Sequence, residues 1–310
     1  MEEKIEIMNL LQSKQVLEHE LQSLAYGSVE IRENNAHKYI YVHYREDGVV
    51  LTKYVGEYAD ELYNLILNNS IKAKELKKQI REINKKLKQF NYVEEELNPK
   101  VEQNIDFAKR HLVDTIYKQA ILEGVATTFA DTESIIEGGK VNNMTSEDIL
   151  KIVNLKHAWE LILNKNVILS DTNFALLCEI NKIVEDSFYY TAGKIRNVPV
   201  TIGGTTWKPD LPIESVIKEE LEEIFNKEID EVDKAIELLL YIMKRQVFID
   251  GNKRTSVIYS NHYLISKGKG IIVIPAELTE EFKDLLILYY EGKEEDIIKK
   301  FIKEKCYMGI

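Results

Sequence analysis

Residues 245–256 read "RQVFIDGNKRTS". Within them an acid, a glycine, a carboxamide and two cations stand in one run: Asp250, Gly251, Asn252, Lys253 and Arg254. Hydrophobic, helix-like sequence lies on both sides, so the run is a turn between two helices. The second of these is expected to start near Thr255. Backbone N–H groups at a helix start are unpaired and carry partial positive charge. Gly251 lets the chain curl into an anion-holding concavity. Lys253 and Arg254 add full charges, and Arg254 can make a two-pronged phosphate contact. A carboxylate beside phosphate is costly unless a cation sits between them, so Asp250 points to Mg²⁺. The same residues also suit a plain helix–loop–helix corner, with Asp250 or Asn252 as the turn residue.

The chain that must hold this loop has 310 residues, 45% of them hydrophobic, with five prolines and abundant Leu, Ile, Glu and Lys. That composition predicts a mainly α protein with a sizeable core. The formal charge of −11 makes general nucleic-acid binding unlikely. No apolar run approaches the roughly 20 residues of a membrane span, and the acidic start "MEEKIEIMNLLQ" lacks a signal-peptide layout. Cys178 and Cys306 fit no metal spacing, and the six histidines form no HExxH pattern. A reduced, cytoplasmic setting is the expectation. The oligomeric state is not legible.

Two regions are expected, residues 1–95 and 101–310, joined through a polar linker over 91–100 that contains the first proline. In the first, residues 3–25 have helical periodicity. The stretch from about 28 to 56 then alternates, with "NNAH" and "DG" turns, and predicts a three-stranded antiparallel meander. Helices are expected over 58–69 and 71–90. The second of these carries eight basic and two acidic residues between 72 and 89. That face is either solvated or a contact for an acidic partner.

From 101 onward helical patterns dominate, the first running to Gly124. Thr145-Ser146-Glu147-Asp148 and Ser170-Asp171 look like helix starts. "VDKAIELLLYIMKRQVF" is apolar nearly all round and predicts a buried central helix. One insert, residues 192–212, has β-branched residues around Gly203-Gly204 and predicts a short β-hairpin flap, or else a surface loop.

The run at 248–255 resembles the signature of the Fic/Doc family, commonly HxFx(D/E)GNGRxxR, with an NKRT version in its Doc-like branch. Phe248, Asp250, Gly251, Asn252, Lys253, Arg254 and Thr255 carry the match. The insert "AGKIRNVPVTIGGTTWKP" is similar to the family's target-docking hairpin, and "ILEGVATTFADTE" to its inhibitory (S/T)xxxE(G/N) region. The likeness covers about 105–290, and residues 1–95 resemble no functional family. The resemblance implies a Fic-like helical bundle with a β-hairpin flap, preceded by a small α+β region. It implies a nucleotide such as ATP, held with Mg²⁺ at Asp250 and by Phe248, Gly251, Asn252, Lys253, Arg254 and Thr255. It implies transfer of AMP or another phosphate-linked group to a hydroxyl of a target protein docked at Val200, Thr201, Ile202 and Gly203.

Three departures bear on that chemistry. Gln246, with Asn252 the expected catalytic pair, stands where the family has its proton-accepting histidine. A carboxamide accepts hydrogen bonds but no proton near neutral pH. Lys253 replaces the second glycine. Val257 replaces the second arginine, the usual partner of the inhibitory glutamate. Glu123 is the candidate for that glutamate, with Gln119 where Ser or Thr is usual. It is expected to have lost its usual partner, or to be simply a helix-terminal acid before Gly124. The alternative to a weakened transferase is a catalytically inactive nucleotide-binding or protein-interaction module.

Overall fold

The computed structural model describes residues 10, 13–14, 16–18, 20–21, 24–34, 37–46, 49–90, 97–142 and 144–310. They fall into two compact units, residues 1–95 and 96–310. Most of the helix expected over 3–25, and the linker segment 91–96, lie outside the described residues.

The first unit holds the predicted meander: β1 (Ser28–Asn34), β2 (His37–Glu46) and β3 (Val49–Glu57), antiparallel and in chain order. Alternation along β2 explains its one buried face. Ile40 and Val42 are buried and pack with Ile66, while Tyr39, Tyr41 and His43 fall on the other side of the pleat. Ile66 belongs to α1 (Asp60–Gln89). Two helices were expected here, but the segment contains neither Gly nor Pro and runs on as one helix of 30 residues. Ala73, Leu76 and Leu87 are buried, and Lys72, Lys74, Lys78, Lys85, Lys86 and Lys88 are exposed, as a solvated basic face requires.

The second unit is mainly helical. It opens with α2 (Pro99–Arg110), where Pro99 takes the first helical position and Asn98 caps Lys100 N–H. The helix expected to continue to Gly124 breaks at His111, whose ring bonds the Phe107 carbonyl at 2.8 Å. Next come α3 (Leu112–Leu122), α4 (Phe129–Ile136) and α5 (Ser146–Ile162), the last capped by Thr145 as read from sequence. α6 (Phe174–Val184) is capped by Asn173, not by Ser170 or Asp171. After α7 (Glu214–Asn226) come α8 (Glu231–Arg245) and α9 (Asn252–Ser266). These two pack on each other, and α9 also touches α2, α5 and α6. Nearly every residue of α9 is buried, so it is the axis of the unit. α10 (Thr279–Tyr290) and α11 (Glu295–Phe301) complete the body. Among the described residues no helix is long and apolar enough to cross a membrane.

The flap differs from the sequence expectation. Residues 192–212 turn at Gly203-Gly204, where Gly204 has φ 84°, but no strand ladder forms. Side-chain anchors replace the ladder. Arg196 donates to the carbonyls of Val198 and Asp210, Thr205 bonds Glu291, and Trp207 stacks on Tyr290. Each anchor fixes the backbone without a partner strand.

Buried asparagines hold α9 to a small sheet of β4 (Ile271–Ile272) and β5 (Tyr307–Met308). Asn261 donates to the Val257 and Ile272 carbonyls and accepts from Ile272 N–H, all at 2.8 Å. Asn261→Leu strands both backbone groups of Ile272. Urea denaturation should show a loss of about 1–3 kcal/mol for each orphaned group; a neutral outcome would mean that water takes the place of the carboxamide.

Candidate functional site

The site is built where α8 ends and α9 begins. α8 stops because Gln246 adopts a left-handed conformation, φ 48° and ψ 60°, which breaks the hydrogen-bond ladder. The chain then runs through Val247 and Phe248, both buried in the core, and turns at Gly251, which has φ 72°. A Cβ at Gly251 would overlap the Glu185 carboxylate, so glycine is needed for close approach as well as for φ. α9 starts at Asn252, earlier than the expected Thr255. Its first ladder bond runs from Thr255 N–H to Gly251 C=O at 2.8 Å. The N–H groups of Asn252, Lys253 and Arg254 therefore open the helix without ladder partners.

Asn252 closes the turn. Its Oδ1 accepts from Phe248 N–H at 2.9 Å, and its Nδ2 donates to Phe248 C=O at 2.8 Å and Gln246 Oε1 at 3.2 Å. Gln246 Nε2 in turn donates to Met243 C=O at 2.6 Å. The two carboxamides expected to be catalytic thus form one strut between the end of α8 and the loop. Phe248 and Thr255 turn inward. Thr255 is buried with its hydroxyl on Asn181, and Phe248 is a core side chain. Neither side chain faces the loop's mouth, because both are needed to seat it. His262 is equally structural, buried between Thr172 and the Val167 carbonyl.

Charge concentrates on Arg254, whose side chain is only 3% exposed. Its Nη2 lies 2.7 Å from Glu185 Oε1, and its Nε lies 3.4 Å from Glu123 Oε2. Lys253 Nζ is 3.5 Å from Glu123 Oε1. Glu123 lacks the usual arginine partner but is not unpaired. It pairs with the loop's own two cations, while Val257 is buried in the core. Glu123 stands at the C-cap of α3, in line with the end-of-helix reading of the sequence, yet it faces this loop. Asp250 is the exposed member, its side chain 52% accessible, with Oδ1 accepting Gly251 N–H at 2.7 Å.

Glu185 escaped the sequence reading, and Gln119 entered it only as a departure from the usual Ser or Thr. Glu185 follows α6 and has a side chain 2% exposed. Burial pushes its carboxyl up to about 7, with Asp250 and Glu123 acting in the same direction against the pull of Arg254. Gln119 joins the core to the loop: it accepts from Trp159 Nε1 at 3.0 Å and donates to Arg254 C=O at 2.9 Å. Nothing near either residue in sequence marks its role; both matter only through chain distant from them. Asn181 similarly ties α6 to Asp250 C=O and to Gly193 N–H at the root of the flap.

The flap is fixed to this loop by Arg196. Its Nε donates to Gln246 C=O at 2.6 Å, and its backbone N–H reaches Val247 C=O. Ile202 packs on the core, and Thr201 and Gly203 are exposed.

Residues 171–264, which contain the flap, the loop and α9, match the family model described as Fic/DOC family. The chain carries a Fic/DOC domain. Its fold is also found in a Fic-domain-containing signaling protein from Bacteroides thetaiotaomicron, at 19% identity and TM-score 0.53, covering 62% of this chain and 75% of that one. Fic-1 from C. elegans aligns at 16% identity and TM-score 0.54, covering 79% and 78%. A Fic family protein from Desulfovibrio desulfuricans aligns at 12% and 0.52, covering 67% and 72%. At these identities the likeness concerns the fold. No curated protein sequence matches the chain.

The elevated Glu185 carboxyl makes the stability of the Fic/DOC domain pH-dependent. Its folded value lies above the ordinary 4.5, so the folded chain keeps a proton that the unfolded chain has released. That contribution is complete below the unfolded value and is lost as pH rises through about 7. Denaturant titrations from about pH 5 to about pH 8 should show the native chain losing stability relative to Glu185→Gln. Parallel pH profiles would mean that Arg254 keeps Glu185 ionised throughout.

Proposed function

We propose that the Fic/DOC domain binds a Mg²⁺-nucleotide at the 250–255 loop and moves AMP, or another phosphate-linked group, to a hydroxyl of a protein segment at the flap. The observation that carries this reading is the state of Arg254. Its Nη1 is buried without a hydrogen-bond partner, while its Nε and Nη2 face Glu123 and Glu185. Buried donors left unmade cost about 1–3 kcal/mol each, and such groups ask for a missing partner. An anion at the open N–H groups of Asn252, Lys253 and Arg254 supplies one.

Asp250 fits a role beside Mg²⁺. Among the described residues no cluster of three or more acidic, histidine or cysteine side chains is arranged for a metal. Mg²⁺ needs none, because one or two carboxylates and the nucleotide's phosphates suffice. A half-exposed single carboxylate at the mouth of the loop matches that pattern. When bound, the ion would neutralise charge on the phosphates. The chain's own contribution is placement: N–H groups and Lys253 orient the phosphates, and the flap orients the incoming hydroxyl.

Glu123 opposes this binding. Its carboxylate sits on Lys253 and Arg254, the two cations an anion would use. Calorimetry with Mg-ATP should show binding that strengthens about tenfold in Glu123→Gln and weakens about tenfold or more in Arg254→Ala, since charge-assisted bonds are worth roughly 1.5–3 kcal/mol. The same titrations with ADP, CTP and GTP test the choice of base. Absence of binding to any nucleotide in all three proteins would sink the proposal.

A second reading, a binding module without transfer, has its own support. Both polar ends of Gln246 are already engaged, by Met243 and Asn252, so it is tied into the loop as well as being unable to take a proton. A positioned base is worth about 10²- to 10⁴-fold. Gln246→His should raise transfer of labelled AMP toward that range, most strongly above about pH 6.5, where imidazole is neutral. Nucleotide affinity should hardly change. Nucleotide binding without transfer in either protein favours the module; ordinary enzymatic turnover by the unchanged chain makes Gln246 a working residue.

A further inference from the structure

Beside the flap, and one residue from Gln246, lies a cavity of about 180 Å³ that the nucleotide reading does not use. Trp207, Tyr241 and Tyr289 wall it, Lys244 and Arg245 supply its cations, and Asp210 stands at its rim. It is smaller than the roughly 300–1,000 Å³ of small-molecule sites, so it suits one or two side chains of a partner and not a nucleotide.

The two cations differ. Arg245 is compensated, with Nε 3.1 Å from Glu220 Oε2, the same oxygen that accepts the Tyr241 hydroxyl at 2.6 Å. Lys244 has no carboxylate in ion-pair range among the described residues. Its ammonium donates to Tyr289 C=O at 2.9 Å and lies 4.5 Å from the Tyr289 ring centroid and 6.0 Å from that of Trp207. One carbonyl uses one of its three donors. A half-buried ammonium among aromatic faces therefore retains donors and charge for an anion. Trp207 is held in place by its stack on Tyr290, with ring centroids 5.6 Å apart and planes 14° apart, so the wall is fixed before any partner arrives.

We propose that this cavity recognises a target segment that presents an acidic residue next to an aromatic one. The acid pairs with Lys244, and the ring packs on Trp207. Asp210 at the rim disfavours a second acid on that side. Arg196 binds Gln246 C=O and Asp210 C=O at 2.6 Å each, so the rim is fastened to the residue that ends α8. A segment anchored here passes the flap on its way to the loop. The proposal rests on the reading that the flap receives a protein segment, and it gives that segment a sequence preference.

The test uses the full chain and two blocked dipeptides, acetyl-Glu-Phe-amide and acetyl-Gln-Phe-amide, which differ in charge but hardly in shape. Trp207 emission is the readout, since the other tryptophan, Trp159, is 1% exposed and bonded to Gln119. The Glu dipeptide should change the emission saturably and bind about tenfold or more tightly than the Gln dipeptide, the range for a charge-assisted bond. Lys244→Met should erase that preference and leave the Gln dipeptide as it was. Equal affinities, no saturable change, or an unchanged preference in Lys244→Met would each overturn the proposal. Mg-ATP titration of the same sample separates the two readings. Dipeptide binding without ATP binding upholds the cavity and sinks the phosphate site; ATP binding without dipeptide binding does the reverse.

Discussion

Burying the Arg254 guanidinium is the constraint around which the rest of the site is arranged. At 3% exposure its charge is tolerable only with acids close by, and Glu185 at 2.7 Å and Glu123 at 3.4 Å provide them. Each acid comes from a different part of the chain, one after α6 and one at the end of α3. The Arg254 side chain thus pins three helices to one point. The arrangement is incomplete as a set of hydrogen bonds, because the buried Arg254 Nη1 has no hydrogen-bond partner. Structural ion pairs are usually satisfied more fully.

Local sequence serves that constraint. Gly251 is required twice, by its left-handed φ and by the carboxylate against it. Asn252 spends its whole carboxamide on Phe248 and Gln246, so the turn is held by side-chain bonds where the ladder has none. Gln119 carries the register of the loop back to Trp159 in the core. These residues position the loop and leave its N–H groups free.

Legibility from sequence followed chain distance. The Asp250–Arg254 run could be read because its chemistry is contiguous, and the meander because Ile40 and Val42 alternate with polar or aromatic neighbours. Central burial of α8 followed from its apolar composition. What failed depended on contacts between distant segments. Arg254 alone reads as a free phosphate ligand, since nothing at 254 reveals two acids folded onto it. Glu185 alone reads as a surface acid after a helix. The family pattern puts the arginine that meets Glu123 where Val257 stands, and nothing at 123 reveals that the loop's own cations meet it instead. The flap was over-read for a related reason. Its β-branched residues and Gly-Gly turn are strand signals, but without a partner strand the side-chain anchors Arg196, Thr205 and Trp207 decide its shape.

Arg196 then joins the two halves of the proposed chemistry. It is 2% exposed, and with no acid in ion-pair range among the described residues, backbone carbonyls solvate its charge: Gln246 at the loop, and Val198 and Asp210 on either side of the flap's turn. Carbonyl dipoles are weaker partners than carboxylates, so several are needed, and they have to converge on one guanidinium. Moving the two sides of the flap apart would strip partners from a buried cation. The flap's position is therefore held by the same interaction that fixes the carbonyl of Gln246. A segment docked along the flap would be placed relative to the loop by one side chain, with no need for a β-ladder to set the register.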